Sequence, residues 1–282
     1  MLYTPPNTFK GIISNMTGRP SVTWGTQLTP GQNSFPAYAE ILGNTAYECF
    51  GISIMIHSGA YTGEARDILV KLGFDHAGAT TYTDNTIANL IATNCGTPLF
   101  GGVSYYFPLY IPEGTAIAAS ASVNNATVRT VYVGVELFGR PTHPELVRAG
   151  SYVDTFGAVT ASSCGTTITS GTTNEGNWTE VTGGATTKPY WWWQVGWGAN
   201  DLSLTAVMYS MDVGYGGVGT EELVIQGQPH TSSGTAEQAV SPMLASPYYV
   251  NEVGIGGRIY ARMQCNGTAD SNLSTIVYAL GG

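Results

Sequence analysis

Two stretches of this chain echo one another, and the echo limits what the chain can fold into. Phe107 to Gly139, FPLYIPEGTAIAASASVNNATVRTVYVGVELFG, returns near the C-terminus as Ser246 to Gly281, SPYYVNEVGIGGRIYARMQCNGTADSNLSTIVYALG. Pro108 matches Pro247, Ile117 matches Ile259, Ala119 matches Ala261 and Gly139 matches Gly281, in the same order with a slip of three residues. An echo at a nearly fixed distance marks a repeated structural unit. It extends upstream. Gly25-Thr-Gln-Leu-Thr-Pro-Gly31 recurs as Gly165-Thr-Thr-Ile-Thr-Ser-Gly171, and Glu40-Ile41 recurs as Glu180-Val181. Ile68, Val70, Leu72, Phe74 and Gly78 match Val207, Tyr209, Met211, Val213 and Gly217. One domain repeated in tandem is the expectation.

Composition agrees with two cores. A chain of 282 residues with 43% hydrophobic residues can bury two domains of roughly 100 to 120 residues each. Charged residues make up only 10%, against roughly 25% in ordinary soluble domains, so self-repulsion is weak and assembly is favoured. The formal charge of −9, without a Lys/Arg cluster, removes the attraction to phosphate that dominates nucleic-acid affinity, so no nucleic-acid partner is expected. No stretch approaches the apolar length of a membrane span, and the N-terminus lacks a signal-peptide pattern. Cys49, Cys95, Cys164 and Cys265 lie far apart without CxxC spacing, which leaves unpaired thiols as the expectation and indicates no metal.

Taken in order, residues 1–24 hold Pro5, Pro6, Gly18 and Pro20 with little periodicity and read as an extended N-terminal arm. Leu2, Tyr3, Phe9, Ile12 and Ile13 are its sizeable apolar side chains before Met16 and the candidate anchors on a neighbouring subunit. Residues 25–140 form the first repeat. Tyr47–Ile56 places Phe50, Ile52, Ile54 and Ile56 on one face with the period of a strand. Asp67–Phe74 alternates likewise, although Glu64–Leu72 also fits a short helix; its glycine-ended echo favours the strand. Asp84–Ile91 predicts a short helix, from the spacing of Ile87, Leu90 and Ile91 behind an Asp84 cap. Three strands and two turns then follow to Phe138, the rhythm of an antiparallel sandwich. Residues 141–164 read as a linker and 165–282 as the second repeat. The fold class is all-β: two tandem antiparallel β-sandwiches, jelly-roll-like, behind an extended arm.

Few residues suggest chemistry. In Tyr190–Trp197, YWWWQVGW, alternation puts Trp191, Trp193, Val195 and Trp197 on one face and Trp192 and Gln194 on the other. Most of these rings are core or interface anchors; Trp192 and Trp197 remain as candidate ligand or interface aromatics, since aromatic faces stack on sugars. Gly214-Tyr-Gly-Gly-Val-Gly219 matches a dinucleotide fingerprint in letters, but no amphipathic helix follows, so it reads as a loop. Asp75 beside His76 is the nearest thing to an acid/base pair, and neighbours on a strand point to opposite faces. No catalytic, cofactor-binding or metal-binding residues are assigned, and no enzymatic activity is expected.

The GTQLTPG opening, the segment YYFPLYIPEGTAIAASASVNNATV and the linker PTHPELVRAGSYVDTFG resemble tandem β-sandwich structural proteins of tailed bacteriophages, over nearly the whole chain. The resemblance implies a virion component, a capsid decoration or tail-associated protein, working as a homo-oligomer with other virion proteins and needing no cofactor. It carries no site residues, because it rests on texture and repeated segments. The competing class is a carbohydrate-binding module, with host-surface glycans as partners.

Overall fold

Period-two runs of β-branched and aromatic residues, broken by Gly, Pro and Asn turns, make every regular element among the described residues a strand. The computed structural model describes residues 11–16, 24–58, 66–78, 80–94, 103–123, 130–141, 148–200, 207–232, 248–267 and 272–282. The first half holds β1 (Ile12–Ser14), β2 (Thr26–Leu28), β3 (Gly31–Gln32), β4 (Ala39–Leu42), β5 (Cys49–Ser58), β6 (Arg66–Asp75), β7 (Asn85–Asn94), β8 (Val103–Phe107), β9 (Ala116–Val123) and β10 (Val131–Gly139). The second holds β11 (Tyr152–Phe156), β12 (Thr166–Gly171), β13 (Thr179–Glu180), β14 (Tyr190–Asn200), β15 (Val207–Gly216), β16 (Glu222–Ser232), β17 (Tyr248–Val253), β18 (Arg258–Cys265) and β19 (Asn272–Gly281).

The strand order is the same in both halves. In the first, one sheet runs β1-β10-β5-β8 with β2 also on β10, and the other runs β3-β9-β6-β7 with β4 also on β9. In the second, β11 and β12 pair with β19, followed by β14 and β17, while β12 and β13 pair with β18, followed by β15 and β16. Each half is thus a two-sheet jelly roll. The difference is at β12, which crosses between both sheets where the first half uses separate strands β2 and β3.

Register repeats as well as order. Thr26 faces Val133 as Thr166 faces Thr275, and Glu40 faces Ala118 as Glu180 faces Tyr260. One expected run of matches shifts by two residues: Ile68 faces Val123 as Tyr209 faces Cys265, and Phe74 faces Ile117 as Tyr215 faces Ile259, so Ile68, Val70, Leu72 and Phe74 correspond to Tyr209, Met211, Val213 and Tyr215. A two-residue slip keeps every side chain on its face, which is why the sequence pattern could not exclude it. Ile68, Val70, Leu72 and Phe74 all point into the first core.

Three sequence expectations are corrected. Asp84–Ile91 is no helix: residues 85–94 form β7, and a bulge at Asn89, with φ at 51°, sits between the pairs Leu72–Ile87 and Val70–Leu90. The inserted residue turns a strand's two-residue spacing into three, which imitates a helix. The second half has the same bulge, with Gly227 at φ 64°. Part of the arm is not extended away from the fold, since Ile12–Ser14 pairs with Glu136–Phe138 of its own chain. Part of the linker is likewise a strand, Tyr152–Phe156 on Val277–Gly281. Ile12 faces Phe138 as Val153 faces Leu280, so arm and linker supply one and the same edge element to their respective halves.

A threonine staples each half at the same place. The Thr45 N–H donates to Thr115 O at 2.9 Å, its carbonyl accepts Gly114 N–H at 2.9 Å, and Oγ1 donates to Pro112 O at 2.9 Å. Thr186 makes the corresponding bonds with Gly257 (2.7 Å), Gly256 (2.8 Å) and Gly254 (3.2 Å). Both side chains are buried, and each accepting carbonyl has a second donor, Thr115 Oγ1 for Pro112 O at 2.7 Å and the Tyr215 hydroxyl for Gly254 O, so losing the threonine hydroxyl removes one bond of a shared pair. Thr45→Val and Thr186→Val should each cost about 0.5–1.5 kcal/mol in denaturant unfolding, the net worth of one hydrogen bond, adding in the double variant because the two threonines share no bonding partner. Losses below about 0.3 kcal/mol would contradict the staple.

Candidate functional site

The aromatic run on β14 follows from the sheet's position. Trp193, Val195 and Trp197 fill the second core with Met211 and Met263, while Trp191 and Trp192 belong to the first core. A register shift on β14 between Tyr190 and Trp192 takes Trp191 off the face that strict alternation gives it, which corrects the sequence expectation. β19 alternates in the same way: Val277 and Ala279 enter the second core, Ile276, Tyr278 and Leu280 the first. Trp192 packs on Phe107 at 5.3 Å, and Tyr278 lies 5.4 Å from Tyr105. The Tyr278 hydroxyl donates to Asn89 O at 2.7 Å and accepts from Ile91 N–H at 3.1 Å. The second half's outer sheet face therefore closes the open edge of the first sandwich.

This placement removes both aromatic candidates as ligand platforms. Trp192 and Trp197 are each 1% exposed, the first against Phe107 and the second beside His230 at 5.2 Å. Of the anchor residues, Ile13 packs half-buried on its own core and Ile12 is exposed; Leu2, Tyr3 and Phe9 lie outside the described residues.

Asp75 and His76 sit at the turn that ends β6. The Asp75 carboxylate accepts the Ala77 and Thr81 N–H groups at 3.0 and 2.9 Å, closing the turn after β6, while His76 Nδ1 faces Thr115 Oγ1 at 3.0 Å. Gly214–Gly219 ends β15 and turns into antiparallel β16, with no helix. On the outer face of the second half, Arg262 stacks over Trp178 at 4.5 Å and holds Asp212 at 2.9 Å and Glu175 at 2.5 Å. Trp178 covers Gly214, where a Cβ would come within 3.0 Å of the indole; Tyr38 covers Gly73 in the first half. The cluster thus belongs to the frame. Cys49 and Cys265 are free thiols, and burial pushes Cys49 up to about 12, far from a thiolate nucleophile.

What the sequence reading missed is a cleft of about 500 Å³ lined by Tyr47, Glu48, Tyr110, Glu113 and Arg140. Tyr110, 38% exposed, stands edge-on to Phe50 at 5.3 Å and donates its hydroxyl to Glu48 Oε2 at 3.3 Å. Arg140 Nη1 lies 3.7 Å from Glu48 Oε1. Burial, then the nearby Glu48 carboxylate, raises the Tyr110 phenol; burial, then Cys49, raises Tyr47. Both hydroxyls stay protonated donors at neutral pH. The signal that could have found this set lies in the echo itself, at positions where the two halves part company. A smaller cleft of about 370 Å³ lies along Asp154, Lys188 and the Thr182–Thr187 loop, its charges already paired at 3.0 Å.

No family model matches this sequence, and no curated protein matches it. Solved structures with a similar course of chain include PNGF-II, at TM-score 0.37 and 7% identity, over 96% of this chain and 65% of that one. The chain therefore spans somewhat less than two thirds of PNGF-II. The Cowpea mosaic virus top component, naturally occurring empty particles, gives TM-score 0.32 and 7% identity over 97% and 89% of the two chains. The CBM22-1–CBM22-2 tandem of Paenibacillus barcinonensis Xyn10C gives 0.25 and 10% over 95% and 92%. Likenesses this distant say nothing about activity.

His230 offers a test of the second core. Its ring is 3% exposed between Trp197 and Tyr209, with neither nitrogen hydrogen-bonded among the described residues. Burial lowers it from 6.5 to about 4. The fold holds the neutral ring, while the unfolded chain takes a proton near pH 6.5. The stability is full above that pH and is lost as pH falls toward 4. By linkage the loss approaches about 3 kcal/mol. His230→Phe should flatten this part of the stability curve between pH 6.5 and 4 in denaturant titrations; an unchanged slope would mean that the ring binds its proton as readily in the fold as in the unfolded chain.

Proposed function

We propose that the protein is a non-enzymatic structural subunit of a virion, specifically a bacteriophage capsid decoration or tail-associated protein. It assembles with copies of itself and with other virion proteins. One observation carries this reading: the outer face of a jelly-roll sheet, which an isolated sandwich would show to water, is covered by a second sandwich through Trp192, Ile276 and Tyr278. A chain that joins jelly rolls side by side through apolar faces, with 10% charged residues to oppose further contact, is suited to building a shell. The phage-protein texture of its sequence supports the same reading.

On this reading the virion is the protein's location, assembly takes place in the bacterial cytoplasm, and the protein uses no cofactor, nucleic acid or membrane. No helix among the described residues is long and apolar enough to cross a membrane. The carbohydrate-binding reading is favoured by one feature, the Tyr47–Tyr110 cleft.

Light scattering on the full chain should give an oligomer. Deleting residues 1–10, which stops short of β1, should shift it toward monomer while the thermal unfolding midpoint holds. A full-length protein that stays monomeric up to its solubility limit would contradict the assembly reading.

A further inference from the structure

We propose that the cleft between Tyr47 and Tyr110 binds a neutral saccharide. The proposal rests on the carbohydrate-binding reading and is independent of assembly.

The two halves act as an internal control. Thr45 and Thr186 occupy one position, so Tyr47 and Glu48 correspond to Lys188 and Pro189. Pro112 and Gly254 occupy another, so Tyr110 corresponds to Glu252 and Glu113 to Ile255; Arg140, one past Gly139, corresponds to Gly282. None of the five lining residues has a counterpart of its own type. The same strand frame closes with Lys, Pro, Glu, Ile and Gly at the five places. Tyr47 packs partly buried on the first core, but the frame closes in the other half without the Tyr110 ring or the charged groups of Glu48, Glu113 and Arg140.

Those groups suit a sugar. A pyranose presents an apolar C–H face, which stacks on an aromatic ring, and a rim of hydroxyls that both donate and accept hydrogen bonds. Tyr110 supplies the exposed ring, and the volume of about 500 Å³ lies within the range of small-molecule sites. Glu48 accepts one hydroxyl bond from Tyr110, and a carboxylate has about four lone-pair sites, so acceptors remain for ligand hydroxyls. Arg140, with 63% of its side chain exposed, meets Glu48 only at 3.7 Å among the described ion pairs and keeps donors for ligand oxygens. Glu113, on the exposed turn before β9, adds a second carboxylate. Two carboxylates against one guanidinium, in a chain of charge −9, disfavour an anionic ligand.

Calorimetric titration of the full chain with maltose, lactose and chitobiose, with 3′-sialyllactose as the anionic control, tests this. At least one neutral disaccharide should bind saturably, and 3′-sialyllactose should bind more weakly. Tyr110→Ala should weaken the binding about tenfold or more and Glu113→Gln about fivefold, the worth of one lost hydrogen bond. Ile255→Ala, at the corresponding place in the other half, should leave it unchanged. Glu113 is exposed, so its variant tests the site even if Tyr110→Ala folds poorly. The site is wrong if no neutral disaccharide binds, if 3′-sialyllactose binds as tightly, or if Glu113→Gln binds like the parent. A broad glycan array separates the two failures: binding there that the variants do not weaken leaves the carbohydrate reading standing, whereas an array with no binding removes it.

Discussion

The rest of the structure depends on one sheet with two buried faces. β14 and β19 send alternate side chains into different cores, Trp193, Val195, Val277 and Ala279 to one side and Trp192, Ile276, Tyr278 and Leu280 to the other. A central sheet covered on both faces needs apolar residues at nearly every position, and TIVYAL and YWWWQV have that composition. The corresponding face of the first half has Gly51, Gly134 and Glu136 where the second has Trp192, Ile276 and Tyr278. Covering the face thus required large side chains in one half only. The segment after β11 completes the join, with Asn89 Nδ2 donating to Ala158 O and Thr160 O, and Ser122 Oγ donating to Ala161 O.

How far the sequence could be read depended on period. The echo located the repeated strands, because each match kept its side of the sheet: Ile52, Ile54 and Ile56 point inward as alternation requires. Two-residue slips are invisible for the same reason, so the echo pairs Ile68, Val70, Leu72 and Phe74 with partners two residues too early although it puts each on the buried face. Bulges hid more. At Asn89 an inserted residue mimicked helical spacing, and the register shift at Tyr190–Trp192 moved Trp191 from one core to the other. Burial of Trp192 and Trp197 could not be read from β14 alone, since it depends on Phe107 in one half and His230 in the other. The short strands β1 and β11 carry no periodicity long enough to detect, so arm and linker looked like connections.

The site was the least legible part, and for a physical reason. Tyr47, Glu48, Tyr110, Glu113 and Arg140 come from the two turns and strand ends at one end of the first sandwich, brought together by pairing of β5 with β8 and β10. No local spacing announces such a set. Repetition separates what the frame needs from what it tolerates: Thr45 and Thr186 recur in place and in bonding, and the glycines under Tyr38 and Trp178 recur beneath their rings. The cleft residues do not recur.

Residue-resolved hydrogen exchange on Trp192→Ala tests most directly whether two jelly rolls share one cooperative structure. The account expects protection to fall together in β5 of the first half and β18 of the second, by the roughly 3–5 kcal/mol that deleting a buried tryptophan costs. Protection lost in β8 and its neighbours alone, with β18 unchanged, would mean that the halves are stable independently and that the two-faced sheet only places them side by side.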